Sequence, residues 1–489
     1  MTTDLENFYD YEKTISEEKR INLGIVYTPI EIVDFINREA LSLWEGNEPP
    51  RFYDPCCGTG IFLYDMAKKV SERYSLNIDD VYEKYAFGED VDKSAIEVAE
   101  RAIPGSNVSV VESSLDSDFS QYDIVITNPP YIRIQNLPEL LREKLRKEYD
   151  FCSGDTDIYM AFFEKVVKSG AISGMIFPNS WMKNKSGDTA RKYLSHTGRV
   201  NTLINFESKK VFENVGTYTN IIILGEKKGE SIKVSNSLEN TLKSMEYEKV
   251  LSPSGTVVTN SEDIRFVEEI QTNRKTSFYD VCEVKTGLAT LCDTVFCLEL
   301  VSPELQPGMI VEVKGRKANS DTFRIESDIV KPCIRAGDIT KNADKNYVML
   351  YPYRDLNPIG EELLEKEFPL AYSYLKDNVE KLNNRDKGKC REKNYDWTMF
   401  GRTQALDLIN KDKLVFPSMV NDKMSYKRAR PGTTFVSGFC FVPKDGVAFE
   451  ELEEHLASKD FMRWAKIFGK NMGSGWSGIS SQTFINYKV

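Results

Sequence analysis

Asn128-Pro129-Pro130-Tyr131 closes the strand-like run Tyr122-Asp123-Ile124-Val125-Ile126-Thr127. An amide, two prolines and an aromatic ring at the mouth of a strand suit one task, the gripping of a planar exocyclic amine. The Asn128 oxygen accepts one N–H. Pro129 has a fixed φ and no N–H of its own, so its carbonyl is presented to the second. Pro130 completes the turn, and the Tyr131 ring stacks on the heterocycle. Read blandly, the same residues are a strand-ending Pro-Pro turn with a buried tyrosine, and the tetrapeptide alone leaves that alternative open.

Further candidate residues lie upstream. Phe52-Tyr53-Asp54-Pro55-Cys56-Cys57-Gly58-Thr59-Gly60 precedes an apolar helical stretch from Ile61 to Val70. This reads as strand, tight loop and helix. Gly58 and Gly60 remove Cβ where a ligand approaches the backbone, and a helix N-terminus offers N–H groups to an anion. The spacing is not the dinucleotide-binding GxGxxG fingerprint. Phe87-Gly88-Glu89-Asp90-Val91-Asp92 ends a second strand with acidic residues placed to bond ribose hydroxyls. Val110-Val111-Glu112-Ser113-Ser114 ends a third.

The order Gly24-Ile25-Val26-Tyr27-Thr28-Pro29, then DPCCGTG, GEDVD and NPPY, resembles the gamma-class, S-adenosylmethionine-dependent N6-adenine DNA methyltransferases of type II restriction–modification systems. The likeness continues through Asp155-Thr156-Asp157-Ile158-Tyr159, Gly174-Met175-Ile176-Phe177-Pro178-Asn179-Ser180-Trp181, Lys210-Val211-Phe212 and Thr219-Asn220-Ile221-Ile222-Ile223-Leu224. It covers roughly residues 20–226 and is loose beyond them. It implies methyl transfer to an adenine flipped out of double-stranded DNA, and a functional pairing with a separately encoded restriction endonuclease. The family's third strand-end motif usually carries Asp to hold the cofactor adenine. Here Ser113 stands in that place with Glu112 beside it, and either is a candidate. Phe212 is implied to support the target base opposite Tyr131, against the bland reading of a core aromatic.

The chemistry asked of these residues is modest. Adenine's exocyclic amine is a poor nucleophile because its lone pair is delocalised. Two acceptors, Asn128 Oδ1 and the Pro129 carbonyl, favour a pyramidal nitrogen and meet the positive charge that develops there. Alignment with the sulfonium donor supplies the rest, roughly 7–11 kcal/mol in the best intramolecular cases. Base flipping costs a few kcal/mol, which stacking on Tyr131 partly offsets. Asp90 takes the ribose diol, Thr28 and Asp54 contact the methionine part, Pro55, Gly58 and Gly60 shape the loop around it, and Val91 packs on the cofactor adenine. His196 and His455 are the only histidines, which argues against a zinc site and against histidine base catalysis.

Composition sets the frame. A chain of 489 residues with 41% hydrophobic content predicts two or three domains with real cores. No apolar run reaches the roughly 18 residues of a membrane span, and the polar start is no secretory signal, so a cytoplasmic location is expected. Nine scattered cysteines without a CxxC predict reduced thiols. The net charge of −11 hides segregation: residues 381–430 hold thirteen Lys/Arg against six Asp/Glu, with Tyr395, Trp397, Phe400, Phe416 and Tyr426 interleaved. That pattern is a nucleic-acid footprint or a solvated charged surface. Lys387, Lys389, Arg391, Lys393 and Arg402 are the candidate DNA contacts.

Strand-like runs at Phe52–Asp54, Ala86–Gly88, Val108–Val111, Ile124–Thr127, Ala171–Phe177, Val200–Phe206 and Tyr218–Leu224 alternate with helices. They predict an α/β fold, a Rossmann-like doubly wound mixed sheet, followed by a C-terminal mixed α+β domain. Thr28 is expected to cap a helix that opens with Pro29 and runs to about Leu43. The expected divisions are a helical extension over 1–20, a catalytic domain over 21–228, a linker over 229–264 and a target-recognition domain over 265–489. Thr294–Leu298 reads as a strand, and Asn471–Gly478 as a loop. A monomer is expected.

Rival readings remain. A carboxamide also carries a planar NH₂, so the same motif serves methyltransferases of RNA or of a protein glutamine. Glu283-Val284-Lys285 and Glu312-Val313-Lys314 match the tripeptide of a fused nuclease, without a Pro-Asp at sensible spacing. A non-catalytic specificity module is the third.

Overall fold

A computed structural model describes residues 8, 10–11, 14–154, 156–212, 217–252, 257–316, 320–341, 345–385, 396–402, 405–473 and 475–489, without the side chains of 471, 473 and 482. The chain divides into two units, Met1–Glu268 and Glu269–Val489.

The first unit is built on a nine-stranded sheet of β1 (Phe52–Asp54), β2 (Ala86–Asp90), β3 (Asn107–Val110), β4 (Ile124–Thr127), β5 (Ile172–Pro178), β6 (Val200–Asn205), β7 (Thr219–Leu224), β8 (Ser231–Ser235) and β9 (Lys243–Glu246). Their order is β3-β2-β1-β4-β5-β7-β6-β8-β9. From β3 to β5 every pairing is parallel, whereas β7 runs antiparallel to both β5 and β6. All residues of β1, β4, β5 and β7 are buried, as strands covered by helices on both faces must be. The helix Ile30–Ser42 buries Ile32, Val33, Phe35, Ile36, Ala40 and Leu41, and the helix Ile61–Tyr74 buries Ile61, Phe62, Leu63, Met66, Ala67 and Val70. Each set recurs at three- and four-residue spacing, the apolar stripe of a helix laid on a sheet. The strand order reverses between β1 and β4, so the loops leaving these two strands frame the crevice where open α/β sheets bind ligands.

Three expectations change here. Pro29, not Thr28, takes the cap position of the first core helix, and it makes no side-chain cap bond. Thr28 turns instead toward Asn128. Residues 229–264 are no linker: they supply β8, which joins β6 in parallel, β9, which pairs back on β8, and the start of the helix Ser261–Asn273. The N-terminal extension does not stop at residue 20, because the helix Glu17–Leu23 runs through that boundary.

The second unit holds a six-stranded sheet in the order Thr322–Glu326, Ile310–Lys314, Cys297–Leu300, Tyr347–Leu350, Val330–Arg335, Thr434–Val436. A four-stranded sheet runs Cys282–Thr286, Gly438–Pro443, Lys413–Pro417, Lys427–Ala429. Asp293–Phe296 is a short helix, and the strand expected at Thr294 begins only at Cys297. The Gly/Ser-rich tail is not an open loop either. Lys470–Gly473 pairs with Trp476–Gly478, and the turn is made at Gly475 with φ 78°. Glycine reaches that left-handed region without the Cβ penalty. Every described cysteine is a free thiol, and no described helix is long and apolar enough to cross a membrane.

Candidate active site

Asn128 leaves the end of β4 with its amide fixed at both ends. Nδ2 donates to the Val26 carbonyl at 2.8 Å and to Thr28 Oγ1 at 3.0 Å, while Oδ1 accepts from the Tyr131 hydroxyl at 2.7 Å. Both amide protons are committed, so a flipped amide would set its oxygen against the Val26 carbonyl. The chain is held in place by Gly24. A Cβ there would lie 2.7 Å from Ile132 Cγ1 and 2.9 Å from the Tyr131 nitrogen, and Gly24 has φ 61°. Only glycine combines that backbone with that proximity. Thr28, expected at the cofactor, is buried against the amide that it orients.

Tyr131 and Phe212 are brought together, but not as the two faces of a slot. Their ring centroids are 6.4 Å apart at 62°, an edge contact, and Tyr131 makes a second edge contact with Tyr159 at 6.4 Å and 78°. Phe212 is part of the core. A base stacked on Tyr131 therefore requires that ring to turn out of its present seat. Tyr159 in turn shares a 3.0 Å hydrogen bond with Ser180 Oγ.

The loop after β1 is rigid where it carries charge. Asp54 is buried, its Oδ1 accepts from the Cys56 nitrogen at 3.0 Å, and its Oδ2 is buried without a hydrogen bond of normal geometry, the Thr127 hydroxyl being the near neighbour of the carboxylate. Burial pushes this carboxyl up to about 7, and the Asp90 charge adds to the shift. Asp90 accepts from the Gly58 nitrogen at 2.8 Å through Oδ2 and from the Asp92 nitrogen at 2.9 Å through Oδ1, so it ties the loop after β2 to the glycine loop. Its carboxyl is also raised, mainly by burial. A Cβ on Gly58 (φ 52°) would meet open space, whereas one on Gly60 (φ 90°) would lie 3.0 Å from Ile103 Cδ1. Gly58 thus faces room for a ligand and Gly60 faces the core. Pro55 is buried beneath the loop. Val91 stands 49% exposed, unusual for a branched apolar residue at the rim of a crevice. Glu112 is exposed, Ser113 half-buried and Ser114 buried. The Cys56 and Cys57 thiols are pushed well up by burial, which makes them poor nucleophiles.

The N-terminal residues close on this loop. Thr59 Oγ1 donates to the Phe8 carbonyl at 3.3 Å, and the Phe8 ring packs on Tyr64. Lys19 Nζ bonds Asp92 Oδ1 at 2.8 Å, and the Tyr11 hydroxyl bonds Asp92 Oδ2 at 2.8 Å. These contacts join residues some fifty to eighty positions apart with no motif to announce them, and Gly24 and Val26 act through backbone alone. The only signal for them is that Gly24–Pro29 precedes the glycine loop in the resemblance.

The expected DNA contacts are mostly beyond view. Lys387, Lys389, Arg391 and Lys393 lie outside the described residues, and Arg402 is exposed beside Ala289. Two cations of the same segment are structural. Arg385 is buried and donates to the carbonyls of Leu382, Thr290, Met399 and Trp397, and Lys413 is buried and donates to those of Leu408, Ile409 and Lys411. Phe400 and Phe416 are core rings. The segment is therefore not a uniform basic, aromatic face. Of the nuclease-like tripeptides, one lies in the strand Cys282–Thr286, and Lys314 of the other pairs with Glu299 at 3.5 Å.

Comparison with known proteins gives the same reading of the first unit. The family described as Eco57I restriction-modification methylase matches residues 60–212. The type II methyltransferase M.BanIII of Aneurinibacillus aneurinilyticus is 24% identical over 479 residues, 83% of this chain and 79% of that protein. The type II restriction enzyme and methyltransferase RM.Eco57I of Escherichia coli is 23% identical over 354 residues, 65% of this chain but 34% of its own length. A solved structure of the type IIL restriction-modification enzyme MmeI in complex with DNA aligns with 98% of this chain and 70% of that one, at a TM-score of 0.64 and 12% identity, a likeness of fold. Over residues 60–212 the chain is thus similar to the methylases of restriction-modification systems.

Proposed function

We propose that this chain transfers a methyl group from S-adenosylmethionine to the N6 amine of an adenine turned out of double-stranded DNA. It would act as a monomer and protect host sites from a separately encoded restriction endonuclease. The observation that carries this reading is the amide of Asn128, whose protons are bound to Val26 and Thr28 so that its oxygen alone faces the crevice side occupied by Tyr131.

The residues of the β1 and β2 loops fit the cofactor. A buried carboxylate oxygen without a hydrogen bond of normal geometry on Asp54 suits a cationic group. Open space over Gly58, the Asp90 carboxylate and the exposed Val91 suit the close approach of a chain, a ribose diol and an adenine ring in turn. When bound, the sulfonium supplies an electrophilic methyl and a neutral leaving group. Asn128 Oδ1 then accepts a hydrogen bond from one N–H of the target amine and the Pro129 carbonyl from the other, with Pro130 holding the turn, and one of these protons leaves to solvent after the methyl has been transferred. A carbonyl-type oxygen has two acceptor positions, so Oδ1 receives the amine while Tyr131 moves to stack on the base. Phe212 backs the base from the core, and Glu112 or Ser113 meets the cofactor adenine. Lys387, Lys389, Arg391, Lys393 and Arg402 remain candidates for contact with the duplex, in a second unit that reads the target site.

The test is transfer of label from S-adenosylmethionine to unmethylated duplex DNA, followed by nucleoside analysis. N6-methyladenine is expected. Label found only in cytosine, in RNA or in protein glutamine would overturn the proposal.

A further inference from the structure

A cleft of about 540 Å³ opens in the second unit between two stretches of chain some eighty positions apart. One wall is the end of the strand Val330–Arg335 and the short helix Ala336–Ile339, joined by Lys345 and Tyr347. The other is Lys423–Lys427, leading into the edge strand of the four-stranded sheet. Among the described residues four cations line it, Arg335, Lys345, Lys423 and Lys427, against the carboxylate of Asp338. That excess stands out in a chain of net charge −11.

The cations are held differently. Arg335 is fixed: Nη1 donates to Asp338 at 2.7 Å and to the Tyr347 hydroxyl at 3.3 Å, its guanidinium lies 5.3 Å from the Tyr347 ring centre, and its buried Nε has no partner. Lys345 reaches Glu299 only at 3.8 Å. Lys423 and Lys427 are exposed and form no ion pair among the described residues. Lysine on an edge strand also discourages strand pairing between molecules. That duty does not require Arg335 and Lys345 on a facing wall.

We propose that this cleft is a phosphate-binding site for the DNA backbone, with Arg335 as the fixed anchor and Lys345, Lys423 and Lys427 as mobile point charges. It rests on the reading that the chain acts on DNA, and it names where the second unit grips the duplex. Phosphate contacts of this kind set register rather than sequence preference, and each releases counterions.

The test uses the full chain with Lys423→Gln and Lys427→Gln combined, and duplex affinity measured across a salt series. The slope of log affinity against log salt is expected to become shallower by up to roughly 1.8, about 0.9 for each phosphate no longer neutralised. S-adenosylmethionine affinity and thermal midpoint are expected to stay at wild-type values, which controls for folding. In a second variant, Asp338→Asn, the negative charge beside Arg335 goes and duplex affinity is expected to rise. An unchanged slope in the double variant, with wild type still methylating DNA, overturns the cleft and leaves the proposed function standing. A change in slope seen with duplex RNA and not with DNA overturns it as well. Wild type that neither methylates nor binds DNA fails the proposed function itself.

Discussion

Buried charge is treated in opposite ways at two places, one in each unit. In the first, Asp54 is sealed in the loop after β1 with one oxygen lacking a hydrogen bond of normal geometry and its carboxyl pushed up to about 7. In the second, Arg385 and Lys413 are just as deeply buried, yet each is surrounded by carbonyls of its own chain. A buried polar group without partners costs free energy that a ligand can return, whereas one already satisfied has nothing left to offer. The difference separates a residue with a bond left to make from residues whose bonds are spent on the fold, and charge counts along the sequence do not make that distinction.

The contrast can be broken at several points. The largest effect is expected at Asn128→Ala, where methyl transfer should fall by about 100- to 1,000-fold, the cost of removing one acceptor that stabilises the transition state. Calorimetry should find cofactor affinity retained, and turnover within a few-fold of wild type would remove the amide from the chemistry. On the satisfied side, Arg385→Met strips four carbonyls of their donor and should lower unfolding stability by about 3 kcal/mol. Activity per folded molecule should be unaffected, as checked by denaturant titration alongside initial rates.

Asp54 gives an effect with a definite sign. Its folded carboxyl keeps a proton to about pH 7 that the unfolded chain releases near pH 4. Its contribution to stability is therefore greatest below about pH 4, declines as pH rises to about 7, and is flat above. Asp54→Asn should be more stable than wild type by about 2 kcal/mol at pH 8 without cofactor, with the gap closing toward pH 4. Melts that track each other at both pH values would contradict this. If Asp54 also meets a cationic group of the cofactor, wild-type affinity should strengthen through pH 7 and the variant's should not.

Thr28→Val should cut the transfer rate about tenfold, equivalent to roughly 1.4 kcal/mol, with a smaller change in KM. Thr28→Ser, which restores the hydroxyl, should recover most of it. The smallest effect belongs to Tyr131→Phe. The hydroxyl bond to Asn128 is lost while the ring remains, so the rate should stay within about threefold of wild type. Tyr131→Ala should do far worse.

The strands β1, β4, β5 and β7 were legible because each is a short apolar run buried on both faces. β8 and β9 were not. At the sheet edge only Ile232 and Val234 are buried apolar residues, and Ser, Lys, Glu and the half-buried Met245 fill the rest. The glycine and serine of the tail suggested a loop, yet hairpin partners supply the backbone bonds that composition does not announce. Of the residues gathered at the loops after β1, β2 and β4, Asp54, Asp90, Asn128 and Tyr131 stand out in the sequence by their side chains. Their positioning partners were not, since Val26 works through a carbonyl and Gly24 through an absent Cβ. The basic cleft was hidden for a third reason: Arg335 and Lys423 meet through folding, and nothing in their spacing foretells it.

The helix Glu17–Leu23 spans about 10 Å at 1.5 Å per residue. Near one end Lys19 grips Asp92, two residues beyond Asp90, and the other end stops at Gly24, packed on Tyr131 and Ile132. It is thus a tie-rod between the acidic loop and the amide loop. If a ligand at one loop strains the rod, thermodynamic linkage makes the exchange with the other loop symmetrical. If cofactor tightens the grip on DNA by some factor, DNA must tighten the grip on cofactor by the same factor, and cutting the rod with Lys19→Ala should pull both factors toward one.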